Sequence, residues 1–206
     1  MSAEPRIPPR PTLPKLREAA AGCRACDLWR GTTQTVFGEG PPRARLMLVG
    51  EQPGDREDIE GHPFVGPAGR ELDRGLEAAE IDRGQVYLTN TVKHFKYRAR
   101  GKRRIHQKPD AAEIRACLPW LRAELDVVGP EALVCLGATA AQALLGRQFR
   151  VTRERGTLVE SDLAPIVSAT IHPSAILRER DDAARQESRA AFAADLRRVA
   201  EALSGR

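Results

Sequence analysis

No apolar run in this 206-residue chain approaches the ~18 residues that a membrane-crossing helix needs. The opening "MSAEPRIPPRPTLPKL" is rich in Pro and Arg and has no hydrophobic core region, so it does not read as a secretory signal. It reads as a flexible arm, about residues 1–14, leading into a first helix, and the expected compartment is the cytoplasm. There is no internal repeat and no shift of composition that would mark a second domain, so residues 1–206 read as a single one. Acid is missing from one stretch. Residues 93–108 hold eight cations (Lys93, Lys96, Arg98, Arg100, Lys102, Arg103, Arg104, Lys108) and no Asp or Glu, while the whole chain carries only +5, so the remainder is net acidic. A focused positive segment on a near-neutral body suits a phosphate backbone; an ordinary solvated loop is the alternative. The densest part, "GKRRIHQKP" (101–109), has no apolar face and carries a single histidine, His106.

What is present is a set of short apolar, β-branched runs: "RLMLVG" (45–50), "VYLTN" (86–90), "ALVCLG" (132–137) and "PIVSAT" (165–170). Helical patterns follow each of them. "PDAAEIRACLPWLRAELDVV" opens on a capping box of Asp110 and Glu113, and Pro119 is expected to break or restart it. The last helix places Phe192, Leu196, Val199 and Leu203 on one face. Alternation of this kind predicts an α/β fold, a three-layer α/β/α sandwich with a four-stranded parallel sheet. The segment 150–161 leaves room for a small hairpin or edge strand. Ligands of open parallel sheets bind beyond the C-terminal ends of the strands. Glu51-Gln52-Pro53-Gly54 follows the first strand, Asn90 ends the second, and His172-Pro173-Ser174 follows the fourth. An acid, an amide and an imidazole thus converge on one rim, and the basic segment leaves from the same rim. Polar residues do collect in loops, but three coincident candidates point to one site.

The cysteines are Cys23, Cys26, Cys117 and Cys135. A cytosolic setting argues against disulfides. "CRAC" is a C-x2-C pair, but the second such pair that a zinc ribbon needs is lacking. Cys135 lies in an apolar strand, where by itself it reads as a small buried hydrophobe. Four thiolates hold either zinc or an iron–sulfur cluster, and the spacing does not choose between them.

"GEQPG" (50–54), "GHPFVGPAGREL" (61–72), "TN" (89–90) and "HPS" (172–174), in that order, resemble the uracil-DNA glycosylase superfamily. The four cysteines resemble those of its family 4 branch, which carries a [4Fe-4S] cluster. The resemblance spans roughly Cys23 to Leu177. Two features depart from ordinary family 4 members: Glu-Gln-Pro stands where Glu-Ala-Pro is usual, and the loop after the second strand is longer and ends in "KRRIH". Both resemble the X-type (UdgX) branch, whose members become covalently attached to uracil-containing DNA through the loop histidine.

The resemblance implies the fold already read from the strands, and a structural [4Fe-4S] cluster on Cys23, Cys26, Cys117 and Cys135. It implies a DNA-repair enzyme acting as a monomer in the nucleoid-associated cytoplasm on uracil-containing DNA, single strands included, with free uracil as product. Phe64 would stack on the flipped pyrimidine, unless it is simply a core ring. The amide of Asn90 matches uracil O4 and N3–H, whereas cytosine presents the opposite pattern; an Asx-type loop bond is its blander reading. His172 would donate a hydrogen bond to uracil O2 as negative charge develops. Gln52 would support the substrate pocket. Lys102, Arg103, Arg104 and Ser174 would meet DNA phosphates. His106 would attack C1′ with Glu51 orienting its ring, giving a single-turnover enzyme trapped on its product. A conventional multiple-turnover family 4 glycosylase is the alternative.

Overall fold

A computed structural model describes residues 2–205. The chain enters through α1 (Leu13–Ala21), capped by the Thr12 hydroxyl. A sheet and its covering helices follow: β1 (Leu46–Gly50), α2 (Asp55–Glu60), α3 (Pro67–Ala78) and β2 (Val86–Asn90). Next come a hairpin of β3 (Tyr97–Arg100) and β4 (Arg103–His106), then α4 (Ala111–Val128), β5 (Ala132–Leu136), α5 (Ala138–Leu144) and α6 (Val151–Glu154). The chain closes with β6 (Leu158–Val159), β7 (Ile166–Thr170), α7 (Pro173–Ile176) and α8 (Asp182–Ser204).

Every residue of β1, β2, β5 and β7 is buried, as expected when helices cover both faces of a parallel sheet. On one face Met47, Val49, Leu133, Val167 and Ala169 pack against Leu121 and Leu125 of α4. On the other, Leu46, Leu48, Val134 and Leu136 pack against Leu72 and Leu76 of α3 and Phe192, Leu196 and Val199 of α8. The three-layer α/β/α class therefore holds. The sheet has five strands rather than four, in the order β2-β1-β5-β7-β6, because Leu158–Val159 adds an antiparallel edge to β7. This edge strand lies within the 150–161 segment that the sequence left open for a hairpin or edge strand.

Two further expectations change. Helix α4 does not break at Pro119 but runs through it. Trp120 and Leu121, the next two residues, are fully buried, and packing of that face holds the helix across the hydrogen bond that proline cannot make. The basic segment is not an irregular loop. It is a two-stranded ribbon with Tyr97 opposite His106, turned at Gly101 with φ +59, where a residue without Cβ is favoured. At the N-terminus, the Ala3 N–H donates to the Ala116 carbonyl of α4 at 2.9 Å.

Candidate active site

Parallel pairing of β1 with β2 puts Gly50 beside Asn90, so Glu51 and the Asn90 side chain leave the sheet at one edge. A Cβ at position 50 would collide with Asn90 Oδ1 and come within 2.7 Å of Phe64 Cζ; glycine is what lets amide and ring meet. Asn90 is buried, and its Oδ1 has no hydrogen-bond partner among the described residues. Such an atom costs about 1–3 kcal/mol unless something supplies a donor. The residue lines a cleft of about 570 Å³ shared with Phe64, His106, His172 and Ser174.

Phe64 is held at φ +57, a conformation uncommon outside glycine that clusters at functional sites. Its ring stacks toward His172, centroids 6.3 Å apart at 28°, and also belongs to the core against α3. The pocket and core readings are therefore both met. The loops on either side are tied by one buried carboxylate: Glu57 accepts the N–H of Gly54 at 3.0 Å and of Gly66 at 2.8 Å. The sequence reading missed Glu57, because nothing in its helix marks it apart from its acidic neighbours.

His172 caps α7, its Nδ1 accepting the Ser174 N–H at 3.2 Å. The proton of the neutral ring therefore sits on Nε2, which is free to donate. Burial, then the nearby His106, then Arg178, hold its pKa down at about 4, so the ring is neutral at pH 7. The Ser174 hydroxyl lies 2.8 Å from His172 Nδ1 and accepts from Arg178 at 3.1 Å. In this structure the hydroxyl is turned onto the imidazole.

Glu51 and His106 do meet. Glu51 Oε1 lies 3.4 Å from His106 Nε2, while its other oxygen accepts the hydroxyl of Thr139 at the start of α5. Thr139 is a second residue that sequence reasoning missed, since it lies in a different βα turn. Gln52 lines the cleft, as expected of it, and also clamps the hairpin. Its Nε2 donates to the carbonyls of Lys96 (3.1 Å) and Gln107 (3.0 Å), and its Oε1 accepts the Lys96 N–H (3.0 Å). These are the two feet of the β3–β4 ribbon, so the glutamine that departs from Glu-Ala-Pro fastens the segment that carries His106. Gln52→Ala strands those backbone groups. We expect it to lower stability by about 1–3 kcal/mol, read by urea denaturation, and to speed amide hydrogen exchange across residues 96–107. Exchange at the wild-type rate there would show that the clamp is dispensable.

Period-two alternation along β4 explains the rest of "KRRIH". Arg103 and Ile105 point outward, whereas Arg104 and His106 share the inner face. Arg104 is paired with Asp55 and Asp58 and lies over the rings of Phe95 and Tyr97, 5.4 and 5.2 Å from their centroids. In this structure it anchors the ribbon to α2. Lys93 is buried against Glu124, and Lys96 pairs with Asp110 and Glu113. The outward cations are thus fewer than the sequence suggested: Arg98, Arg100, Lys102, Arg103 and Lys108.

The four cysteines do not form one donor set. Cys23 and Cys117 are buried in one apolar cluster, with Cys26 packed against it. The Trp120 indole N–H and the Lys93 backbone N–H point at the sulfurs of Cys23 and Cys117, each at 3.3 Å. Cys135 lies in mid-sheet between Val49 and Ala169, in a different cluster, and burial alone pushes its thiol up to about 12. Its blander reading, a small core hydrophobe, is the one its position fits. His94 reaches the same turn as the first three: its Nε2 is 3.1 Å from the Thr35 hydroxyl, which donates to the Ala20 carbonyl that also accepts the Cys23 N–H.

The cleft therefore offers a ring for stacking, an amide with an unpartnered acceptor, and a neutral N–H donor to one planar heterocycle. A carboxylate and a second imidazole stand at its mouth. Comparison with known proteins agrees with this chemistry. The model of the family described as the Uracil DNA glycosylase superfamily matches residues 37–197. A Type-4 uracil-DNA glycosylase of Sulfurisphaera tokodaii is 38% identical over 176 residues, covering 81% of this chain and 76% of that protein. A Type-4 uracil-DNA glycosylase of Thermotoga maritima is 36% identical over 170 residues, covering 82% and 85%. A Type-5 uracil-DNA glycosylase of Pyrobaculum aerophilum is 31% identical over 153 residues, covering 66% and 63%. With its family pattern spanning most of the sheet and every group of the cleft, this chain belongs to the uracil-DNA glycosylase superfamily.

Proposed function

We propose that this chain excises uracil from DNA, and the observation that carries the reading is the buried, unpartnered Oδ1 of Asn90 beside Phe64 and His172. A base inside a duplex must be flipped out, or taken from a single strand, before it enters such a pocket. Phe64 then stacks on it. Asn90 Oδ1 accepts the uracil N3–H while its amide N–H donates to O4. As the C1′–N1 bond breaks, its electron pair passes into the uracil ring. The His172 Nε2–H donates to O2, where negative charge gathers. Because the ring is already neutral and fixed by Ser174, it meets that charge without reorganising. The exposed cations of the β3–β4 ribbon hold the phosphates on either side.

The fate of the sugar separates two readings. The similarity to Type-4 enzymes favours a conventional glycosylase, in which water bonds to C1′, loses its proton toward Glu51, and leaves an abasic site with turnover. A second reading is favoured by one observation, the approach of His106 to Glu51 at 3.4 Å beside the same cleft. Here the imidazole nitrogen that does not face Glu51 bonds to C1′, the other nitrogen gives its proton toward Glu51, and the protein stays on the DNA. A denaturing gel of protein mixed with uracil-containing oligonucleotide decides. Turnover predicts abasic product in excess of protein, and His106→Ser then leaves the rate within about threefold, as for a phosphate contact outside the reacting atoms. Capture predicts a retarded band equimolar with protein, abolished by His106→Ser. No release of uracil under any condition would defeat both.

Cys23, Cys26 and Cys117 lie in or against one apolar cluster, but among the described residues no three Cys, His, Asp or Glu side chains converge as a metal site, so the implied [4Fe-4S] cluster rests on the resemblance. Cys135 does not fit that set. When bound, such a cluster would tie the segment after α1 to α4; no step of the excision is assigned to it.

A further inference from the structure

We propose that Lys93 is a positioning residue for uracil recognition, aiming Asn90 from beneath the pocket. The inference rests on the reading of Asn90 above. Lys93 is 1% exposed, and its ammonium donates to the Asn90 carbonyl at 2.8 Å, to Thr89 Oγ1 at 2.6 Å, and to Glu124. Glu124 is fully buried and is itself fixed by the Gly38 N–H and the Tyr87 hydroxyl, each at 3.0 Å, and by Thr89. The Phe37 ring closes over the ammonium at 5.4 Å.

A buried lysine–glutamate pair is a poor way to stabilise a core, because desolvation offsets much of the attraction and well-packed apolar residues do as well or better. Its presence calls for another consequence, and its contacts supply one. Asn90 ends β2, and its buried carbonyl is held by the ammonium of Lys93. An unsatisfied carbonyl there would be free to turn. The lysine thereby fixes the peptide plane on which the Asn90 side chain is mounted. That matters because the Asn90 Oδ1 has no bond of its own to set its direction. The grip is fixed at its other end, since the Lys93 backbone N–H is bonded to Cys117 Sγ. In sequence Lys93 was one cation of a phosphate-binding run; in the fold its ammonium is buried against Thr89, Glu124 and the Asn90 carbonyl.

The test uses the full chain and single-turnover uracil release, which is defined whether or not the product stays bound. Lys93→Met combined with Glu124→Gln removes both charges at similar volume and leaves an amide oxygen for Gly38 and Tyr87. The expected result is a folded protein with a modestly lower melting temperature, since the Asn90 carbonyl loses a donor, uracil release about 100-fold slower, as for a small misplacement of a contact group, and discrimination against cytosine reduced about tenfold. A purely structural role would likewise lower the melting temperature but leave the uracil-to-cytosine ratio unchanged. Thr89→Val is the second variant, isosteric and uncharged, removing one holder of the ammonium. It is expected to weaken free-uracil binding and slow release by about tenfold. Release and discrimination within about threefold of wild type in the folded paired variant, or in Thr89→Val should the pair not fold, overturns the proposal. Absence of uracil release by the wild-type chain would instead overturn the reading of Asn90 itself.

Discussion

Asn90→Leu is expected to lose about 10,000-fold in uracil release, the scale by which a site built to hydrogen-bond a polar group fails without its partner. It is also expected to gain stability. In the free protein Asn90 Oδ1 is buried without a partner, so an apolar side chain of similar volume removes a desolvation cost of about 1–3 kcal/mol and leaves no new orphan. The pairing of opposite signs is what marks a recognition group in place of a structural one: stability is given up in the empty state for a contact made only with substrate. Urea denaturation and single-turnover release on the same preparation check both halves. A variant less stable than wild type, or one that still releases uracil at a comparable rate, would mean that the amide is a loop bond after all.

His172→Leu is expected to slow release by about 100- to 1,000-fold, the loss found when one preorganised donor is removed from a developing anion. His172→Gln, which keeps an N–H donor, should recover part of it. The pH dependence has a definite form. The His172 pKa is held at about 4 by burial, with His106 and Arg178 adding to it, whereas an unfolded chain titrates its histidines near 6.5. The unfolded state therefore binds this proton first as pH falls. The contribution of His172 to stability is full above about 6.5 and is lost progressively between there and about 4, at about 1.4 kcal/mol per pH unit at most. The His172→Gln variant should show a shallower fall of the urea midpoint across that window. Uracil release should not lose its neutral donor until pH approaches 4. A wild-type rate that drops with a midpoint near 6.5, absent from the variant, would show that the ring is not held neutral.

The residues of the cleft were legible to different degrees. Glu51, Asn90 and His172 were placed by a topological rule: in a parallel sheet the residues just past the strand ends share one rim whatever their distance in sequence. His106 was placed by resemblance, and its approach to Glu51 agrees with that. Gln52, Arg104 and Ser174 were assigned to the right neighbourhood, but their intramolecular partners were not legible. Each has several donors or acceptors, and which of them face substrate depends on side-chain direction. Arg104 turns inward because β4 is a strand and alternates faces, and no periodicity distinguishes a four-residue basic strand from a loop. Pro119 misled for the opposite reason: a local helix-breaking rule was overridden by the burial of Trp120 and Leu121.

The sequence by itself determined the parallel sheet, its covering helices and the rim on which the site lies, because burial on both faces writes continuous apolar runs and crossover helices into the chain. It also determined the family, through short blocks held in fixed order. Only the tertiary structure decided which charges are spent inside. Lys93 with Glu124, Arg104 with Asp58, and Glu57 beneath two loops are pairings that no one-dimensional pattern marks. Cys135, a ligand by resemblance and a small hydrophobe by its strand, lies in a strand paired on both sides. A charge or thiol takes its role from what surrounds it, and those surroundings are assembled from segments that the sequence keeps far apart.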